Sequence, residues 1–324
     1  MTRNILLTGG CGYIGSVLTK ALSERGYFVR VVDAQWFGNF HTNLSKNVQL
    51  LKKRVDEITA ADLDSVDTVI HLANIANDPG VELNPTLSWE INTLHLTELL
   101  QKCKNATVET FINASSGSVY GIKEQEKVTE DLELLPISTY NKTKMVAERI
   151  CLSFSKDFRI VNVRPATVCG LSPRMRFDVV VNMFVLQAFK NGRIEVLGGN
   201  QVRPNIHIDD MVLVYLHLLN EGQDVIGSIN AGFENISILE IAKLVSRHIP
   251  CEIVVKDSND PRSYRQDSTK LINSGFLPKK NVIDAIEEIS EKLQSGLLVD
   301  DLRWHTVAMM KKLKLDKSLV AKAH

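Results

Sequence analysis

The chain has 324 residues, enough for one large or two smaller domains around a sizeable core. Lysine plus arginine equals aspartate plus glutamate, 38 each, so no general affinity for polyanions follows and nucleic acid is excluded as the main partner. The five cysteines lack paired spacing, which points to reduced thiols in a cytoplasmic protein, and no run of about 18 apolar residues offers a membrane span.

The chain opens with the unit around which the rest is organised, residues 4–33. Ile5-Leu6-Leu7 reads as a strand, too soon broken by glycines to be a secretory signal. Thr8-Gly9-Gly10-Cys11-Gly12-Tyr13-Ile14-Gly15 follows, then a helical pattern of Val17, Leu18, Ala21 and Leu22. A second apolar run over 28–32 ends in Asp33. Strand, glycine turn, helix, strand and acid is the order of a dinucleotide-binding unit. The Gly10-x-Gly12-x-x-Gly15 spacing lets a diphosphate approach backbone N–H groups at a helix N-terminus. A carboxylate at Asp33 can accept hydrogen bonds from a ribose and would repel a 2′-phosphate, so the expected cofactor is NAD, not NADP.

Residues 66–73 read as a buried strand leading into a loop over 74–79. A helix is expected over 89–103, a strand over 110–114, and a serine-rich loop, Ser115-Ser116-Gly117-Ser118, after it. A helix from 138 or 139 to about 155 carries Tyr140 and Lys144 on one face, one turn apart. A strand over 159–164 runs into Pro165-Ala166-Thr167. From there the alternation weakens: a loop at 171–178, a helix over 179–191, a strand over 194–197, and a helix over 209–220. The pattern predicts an α/β fold, a Rossmann-type doubly wound parallel sheet with a smaller C-terminal substrate lobe. Residues 1–165 are expected as the NAD-binding domain, with a return segment at about 206–228. The lobe would take 166–205 and 229–300, and the basic stretch 301–324 would be a surface helix or a disordered tail.

Tyr140, Lys144 and Ser116 carry the expected chemistry. A phenol has an ordinary pKa near 10 and is a poor base at neutral pH. Nearby cations, Lys144 and an oxidised nicotinamide, would lower it. Ser116 stands at a strand's C-terminal end, where it can bond the same substrate oxygen. A Tyr and a Lys four apart are common by chance. Their order after the glycine turn, the acid and the serine loop makes them a catalytic candidate.

On these motifs the chain resembles the extended short-chain dehydrogenase/reductase family, in its NAD-dependent nucleotide-sugar epimerase/dehydratase branch. The resemblance also rests on His71-Leu72-Ala73, Val119-Tyr120-Gly121, Arg164-Pro165-Ala166-Thr167, Arg203-Pro204-x-Ile206-His207 and Asp260-Pro261-Arg262-Ser263-Tyr264. It implies an NAD site lined by Gly9, Gly12, Tyr13, Ile14, Gly15, Asp33, Asp56, Leu72, Ala73, Asn92, Tyr140 and Lys144. It implies catalysis by Ser116, Tyr140 and Lys144. It implies substrate contacts from Ser116, Thr167, Asn182, Arg203 and Arg262, and no metal. Arginines suit a diphosphate because guanidinium grips its oxygens bidentately. Arg174 and Arg176 are left open.

Two departures bear on the reaction. Dehydratases of the branch carry Asp-Glu in the serine loop, where this chain has Gly117-Ser118. Without that acid and base, dehydration is rejected. Thr167 replaces a frequent substrate-contacting Asn. The expected activity is epimerisation of a nucleoside-diphosphate sugar at C4 through a transient 4-keto sugar, with hydride lent to NAD and returned. The alternative is a C4 dehydrogenase or 4-keto reductase on the same scaffold. A homodimer is expected through Leu94, Leu99, Cys103, Met145, Ile150 and Phe154.

Overall fold

The computed structural model describes residues 3–42, 44–106, 108–258 and 263–316. Its strands in chain order are β1 (Asn4–Thr8), β2 (Phe28–Asp33), β3 (Val48–Lys52), β4 (Thr68–His71), β5 (Thr110–Ala114) and β6 (Arg159–Pro165). Then come β7 (Thr167–Cys169), β8 (Arg193–Leu197), β9 (Val202–His207), β10 (Gly227–Ala231), β11 (Glu234–Ser237) and β12 (Glu252–Lys256). Seven of them form one sheet in the order β10-β6-β5-β4-β1-β2-β3. Every pairing in that sheet is parallel. Central strands of such a sheet are covered on both faces, which is why β1, β4 and β5 read as unbroken apolar runs. The chain steps outward from β1 to β3, then crosses back to β4. The strand order therefore switches between β1 and β4, and ligands of open α/β sheets bind beyond the carboxyl ends at such a switch.

The second lobe holds a three-stranded sheet, β11-β9-β7, and a parallel pair, β12-β8. The helices Val180–Asn191, Ile238–His248 and Val282–Gln294 cover them, and their apolar faces join the core of the large sheet. β10 lies in the large sheet beside β6, so the return segment reaches Ala231 rather than 228.

Three other expectations need correction. The helix over 89–103 is a helix, Pro85–Trp89, a wide turn, Glu90–Leu94, and a second helix, His95–Lys104. The wide turn carries Asn92 inward, where its amide bonds both backbone groups of Ile75 at 2.9 and 3.1 Å and Thr143 Oγ1 at 3.1 Å. Leu99 and Cys103 were counted on an exposed face but are wholly buried, while Leu94 is 60% exposed. Met145, Ile150 and Phe154 are half-buried. Finally, of the surface helix or disordered tail expected over 301–324, residues 302–312 take the helical form, but packed inward rather than lying only on the surface. A turn, Leu302–Trp304, and a helix, Thr306–Lys312, pack Trp304 and Met310 into the protein. Among the described residues no helix is long and apolar enough to cross a membrane.

Candidate active site

A cleft of about 780 Å³ opens at the carboxyl ends of β1, β4, β5 and β6. Gly9, Gly12, Tyr13, Ile14, Gly15, Leu72, Ser116, Tyr140, Lys144, Thr167 and Arg203 line it. The glycine turn is shaped by backbone contact. Gly9 has φ +74°, and a Cβ there would sit 2.7 Å from the Ala73 nitrogen. A Cβ on Gly15 would fall 2.1 Å from the Gly9 carbonyl oxygen. Gly12 precedes the helix Tyr13–Glu24 and no side chain caps it, so the N-terminal N–H groups remain available to a diphosphate. These cradle features fit a bound dinucleotide.

Asp33 ends β2 and is half-buried. One carboxylate oxygen accepts from Cys11 N at 2.9 Å and the other from Gln35 N at 2.6 Å. Burial raises its pKa above the usual carboxylate value, and those two bonds pull the other way. Ala73 lies against Gly9.

Lys144 is buried and donates to the Ala114 carbonyl at 2.7 Å, tying its helix to the end of β5. Burial lowers it to about 7, opposed by Cys151 and Glu148. Its Nζ stands 6.0 Å from the centre of the Tyr140 ring. Burial pushes Tyr140 up to about 12, while a hydrogen bond with Ser116 and the cation of Arg176 pull it down. Lys144 and an oxidised nicotinamide were the cations expected to act on the phenol; Arg176 is a further one. Arg176 is held bidentately by Asp178, Nε at 2.8 Å and Nη2 at 3.2 Å. Asp178 also accepts from Asn77 Nδ2 at 3.0 Å and bonds Thr306, and its pKa is driven well down, chiefly by Arg176 against the effect of burial. Ser116 Oγ bonds Ser118 Oγ at 2.8 Å and accepts from Ser118 N at 3.2 Å. A Cβ on Gly117 would meet Gln266 Oε1 at 3.1 Å and the Tyr264 hydroxyl at 3.2 Å, so the position where dehydratases carry an acid is closely packed.

Five assigned residues are not among those lining the cleft, Asp33 and Ala73 beside the glycine turn and Asp56, Asn92 and Asn182 elsewhere. Asn182 is fully buried, and both ends of its amide are spent: Gly170 N donates to it at 3.1 Å, and it donates to Tyr13 OH at 3.0 Å and the Arg176 carbonyl at 2.9 Å. It holds a loop in place. Asn92 is spent on Ile75 and Thr143. Asp56 pairs with Arg54 on the surface side and lies 3.6 Å from His95. Arg262 lies outside the described residues. His71 bonds Thr8 Oγ1 at 2.8 Å, and His207 bonds Glu288 at 3.0 Å, so both are satisfied inside the fold.

Several lining residues had no sequence signal: Trp36, Phe37, Asn77, Asp178, Thr306 and Met310. Thr306 and Met310 belong to the C-terminal stretch expected as a surface helix or a disordered tail. Only contacts between distant parts of the chain reveal them.

The sequence profile described as the NAD dependent epimerase/dehydratase family matches residues 5–232. A UDP-glucose 4-epimerase of Lactobacillus helveticus is 26% identical, over 87% of this chain and 94% of its own. The UDP-glucuronic acid decarboxylase 1 of Danio rerio is 30% identical, over 83% of this chain and 67% of its own. Among solved structures, the UDP-glucuronic acid 4-epimerase of Bacillus cereus with UDP-glucuronic acid and NAD superposes with a TM-score of 0.80. It is 26% identical, covering 90% of this chain and 99% of that one.

Proposed function

The chain belongs to the NAD-dependent epimerase/dehydratase family, enzymes acting on nucleotide sugars, and on that premise we propose that it is a nucleotide-sugar epimerase working at C4. The observation that carries the reading is the convergence of Ser116, Tyr140 and Lys144 on one cleft, with Lys144 braced on the Ala114 carbonyl one turn from Tyr140. Two hydroxyls at one point can share a single substrate hydroxyl oxygen. Ser116 positions that oxygen, and Tyr140 takes its proton and later gives it back. NAD, when bound, supplies the acceptor and donor of hydride at the sugar carbon.

The protein's own groups leave the phenol near 12, so Tyr140 starts protonated. Bringing it to about 7 needs on the order of 7 kcal/mol of differential stabilisation, which further positive charge in a dry cleft can provide. Lys144, lowered to about 7, can pass between its charged and neutral forms at working pH, which suits a group that relays the proton onward. The close packing around Gly117 and the neutral Ser118 supply no acid–base pair for eliminating water, which supports epimerisation over dehydration.

Residues 1–165 and 206–231 would form the cofactor domain, and 166–205 with the chain from 232 to about 300 the substrate lobe. Thr167 and Arg203 line that lobe's side of the cleft and are the proposed substrate contacts in the described residues. The deciding experiment incubates purified protein with UDP-glucose and UDP-glucuronic acid, followed by NMR and absorbance at 340 nm. A C4 epimer without accumulating NADH is expected. Stoichiometric NADH, or a pentose from loss of the carboxyl carbon, would replace the epimerase reading by a dehydrogenase or a decarboxylase. Tyr140→Phe is expected to cost at least about a hundredfold in turnover while NAD stays bound.

A further inference from the structure

The loop over 170–178 is stitched to the first turn of the helix Tyr13–Glu24. Tyr13 OH donates to the Gly170 carbonyl at 2.7 Å, Ser172 Oγ donates to the Tyr13 carbonyl at 2.7 Å, and Ser16 Oγ bonds Ser172 Oγ at 2.9 Å. Asn182 adds its bond to Tyr13 OH. The stitches carry Arg174, two residues past Ser172, to the glycine turn and not to the second lobe.

Arg174 is 2% exposed and lines the cleft. Its guanidinium lies on the Phe37 ring, Cζ 4.0 Å from the centre. Among the described residues no hydrogen bond or ion pair reaches that guanidinium, and its Nε is buried without a partner. Arg176, two residues on, has Asp178 in a bidentate grip; Arg174 has no such carboxylate. Two acids act on Arg174, but Asp178 is gripped by Arg176 and the oxygens of Asp33, on the cofactor side, already receive the Cys11 and Gln35 amides. Burial brings Arg174 down to about 9, so it is still a cation at neutral pH. A buried cation without a counter-charge is costly, and a planar fork beside a helix N-terminus matches a diphosphate.

We propose that Arg174 is a cofactor-binding residue whose guanidinium, stacked on Phe37, holds the diphosphate of NAD and not that of the sugar nucleotide. The two arginines of one loop thereby divide the cleft: Arg174 serves the dinucleotide, and Arg176 stands by Tyr140. The proposal does not depend on which sugar the enzyme takes.

The test uses full-length Arg174→Gln and Arg174→Lys with three probes, NAD, ADP-ribose and UDP, by calorimetry. The NAD retained through gel filtration is measured beside it. The Gln variant is expected to lose at least about tenfold in affinity for NAD and ADP-ribose, the scale of one charge-assisted contact, with UDP affinity within twofold of wild type. The Lys variant keeps the charge but loses the fork and is expected between the two. Phe37→Leu removes the stacking platform and is expected to weaken NAD severalfold while leaving UDP alone; it also serves as the reading if the Gln variant does not fold. Unchanged NAD affinity overturns the proposal. Equal losses for NAD and UDP, or a loss for UDP alone, overturn it as well.

Discussion

Gly15→Ala tests whether the glycine turn is shaped by packing. The added methyl would fall 2.1 Å from the Gly9 oxygen and 2.6 Å from Gly10 Cα, both backbone atoms that cannot swing aside. Gly9 cannot retreat, because it already lies against Ala73 and its N–H is held by the Val32 carbonyl at 2.9 Å. Relief requires a shift of roughly 1 Å, at about 1–3 kcal/mol for an overpacked site. The shift also breaks the 3.0 Å bond from Gly12 N to Gly9 O, worth about 1 kcal/mol. Better helix propensity returns about 1 kcal/mol, so the net loss is about 1–3 kcal/mol. The N–H groups facing the diphosphate move with the turn, so NAD affinity should fall by about ten- to a hundredfold. Gly26→Ala is the control. It meets nothing within 4 Å but sits at φ +83°, so it should cost about 1–2 kcal/mol of stability and leave NAD binding intact. Thermal unfolding and NAD titration read both variants. A Gly15→Ala protein that binds NAD normally and is stabilised would refute the packing argument.

Asp178→Asn leaves Arg176 without its carboxylate in a mostly buried place, so a loss of about 3 kcal/mol in denaturant unfolding is expected, together with reduced turnover. Removing residues 301–324 takes Met310 out of its cluster with Ile75, Val81 and Leu87, against which Tyr140 packs. Thermal stability and turnover should both fall, and unchanged values in the shortened chain would show that the segment is only an appendage. His71 is held by burial and the nearby Lys144 at about 3, below its ordinary 6.5. Its contribution to stability is therefore present above about 6.5 and lost as pH falls toward 3. His71→Gln should flatten the stability profile over that window relative to wild type, measured by unfolding from pH 4 to 7. A homodimer remains the expectation, through the partly exposed Leu94, Met145, Ile150 and Phe154, and light scattering should give about twice 36.2 kDa; a monomer mass at micromolar concentration removes the claim.

The parts of the fold that were legible in sequence are those where local pattern and tertiary role agree. The strand–glycine–helix–acid unit is one, because the same backbone that must turn tightly must also admit a ligand. The sheet's central strands are another, since burial on both faces leaves unbroken apolar runs. The roles that Asn182, Asn92 and Thr306 play in the fold were not legible for one reason. Their side chains are committed to partners far along the chain: Tyr13 for Asn182, Ile75 and Thr143 for Asn92, Asp178 for Thr306. An asparagine that binds substrate and one that clamps a loop look alike in a linear pattern. Leu99 and Cys103 were misplaced because the wide turn at Glu90–Leu94 rotates the following helix and moves its apolar stripe.

Those long-range commitments also explain how one cleft serves two ligands. The 170–178 loop follows β7, a strand of the second lobe's sheet, yet Tyr13, Ser16 and Ser172 bind it back to the helix below the glycine turn. Asp178 at its far end is held by Asn77 from the loop after β4 and by Thr306 from the C-terminal segment. The loop is thus anchored to the cofactor side at one end and to the wall beside Tyr140 at the other. A substitution at Ser172 or Asp178 therefore acts on both halves of the cleft, because neither arginine can move without the backbone they share. On the proposed reading, Tyr140 would meet its substrate oxygen and the cofactor in one place only while that loop is held at both ends. The geometry of the proposed catalysis would then be set as much by these hydrogen bonds as by Ser116, Tyr140 and Lys144.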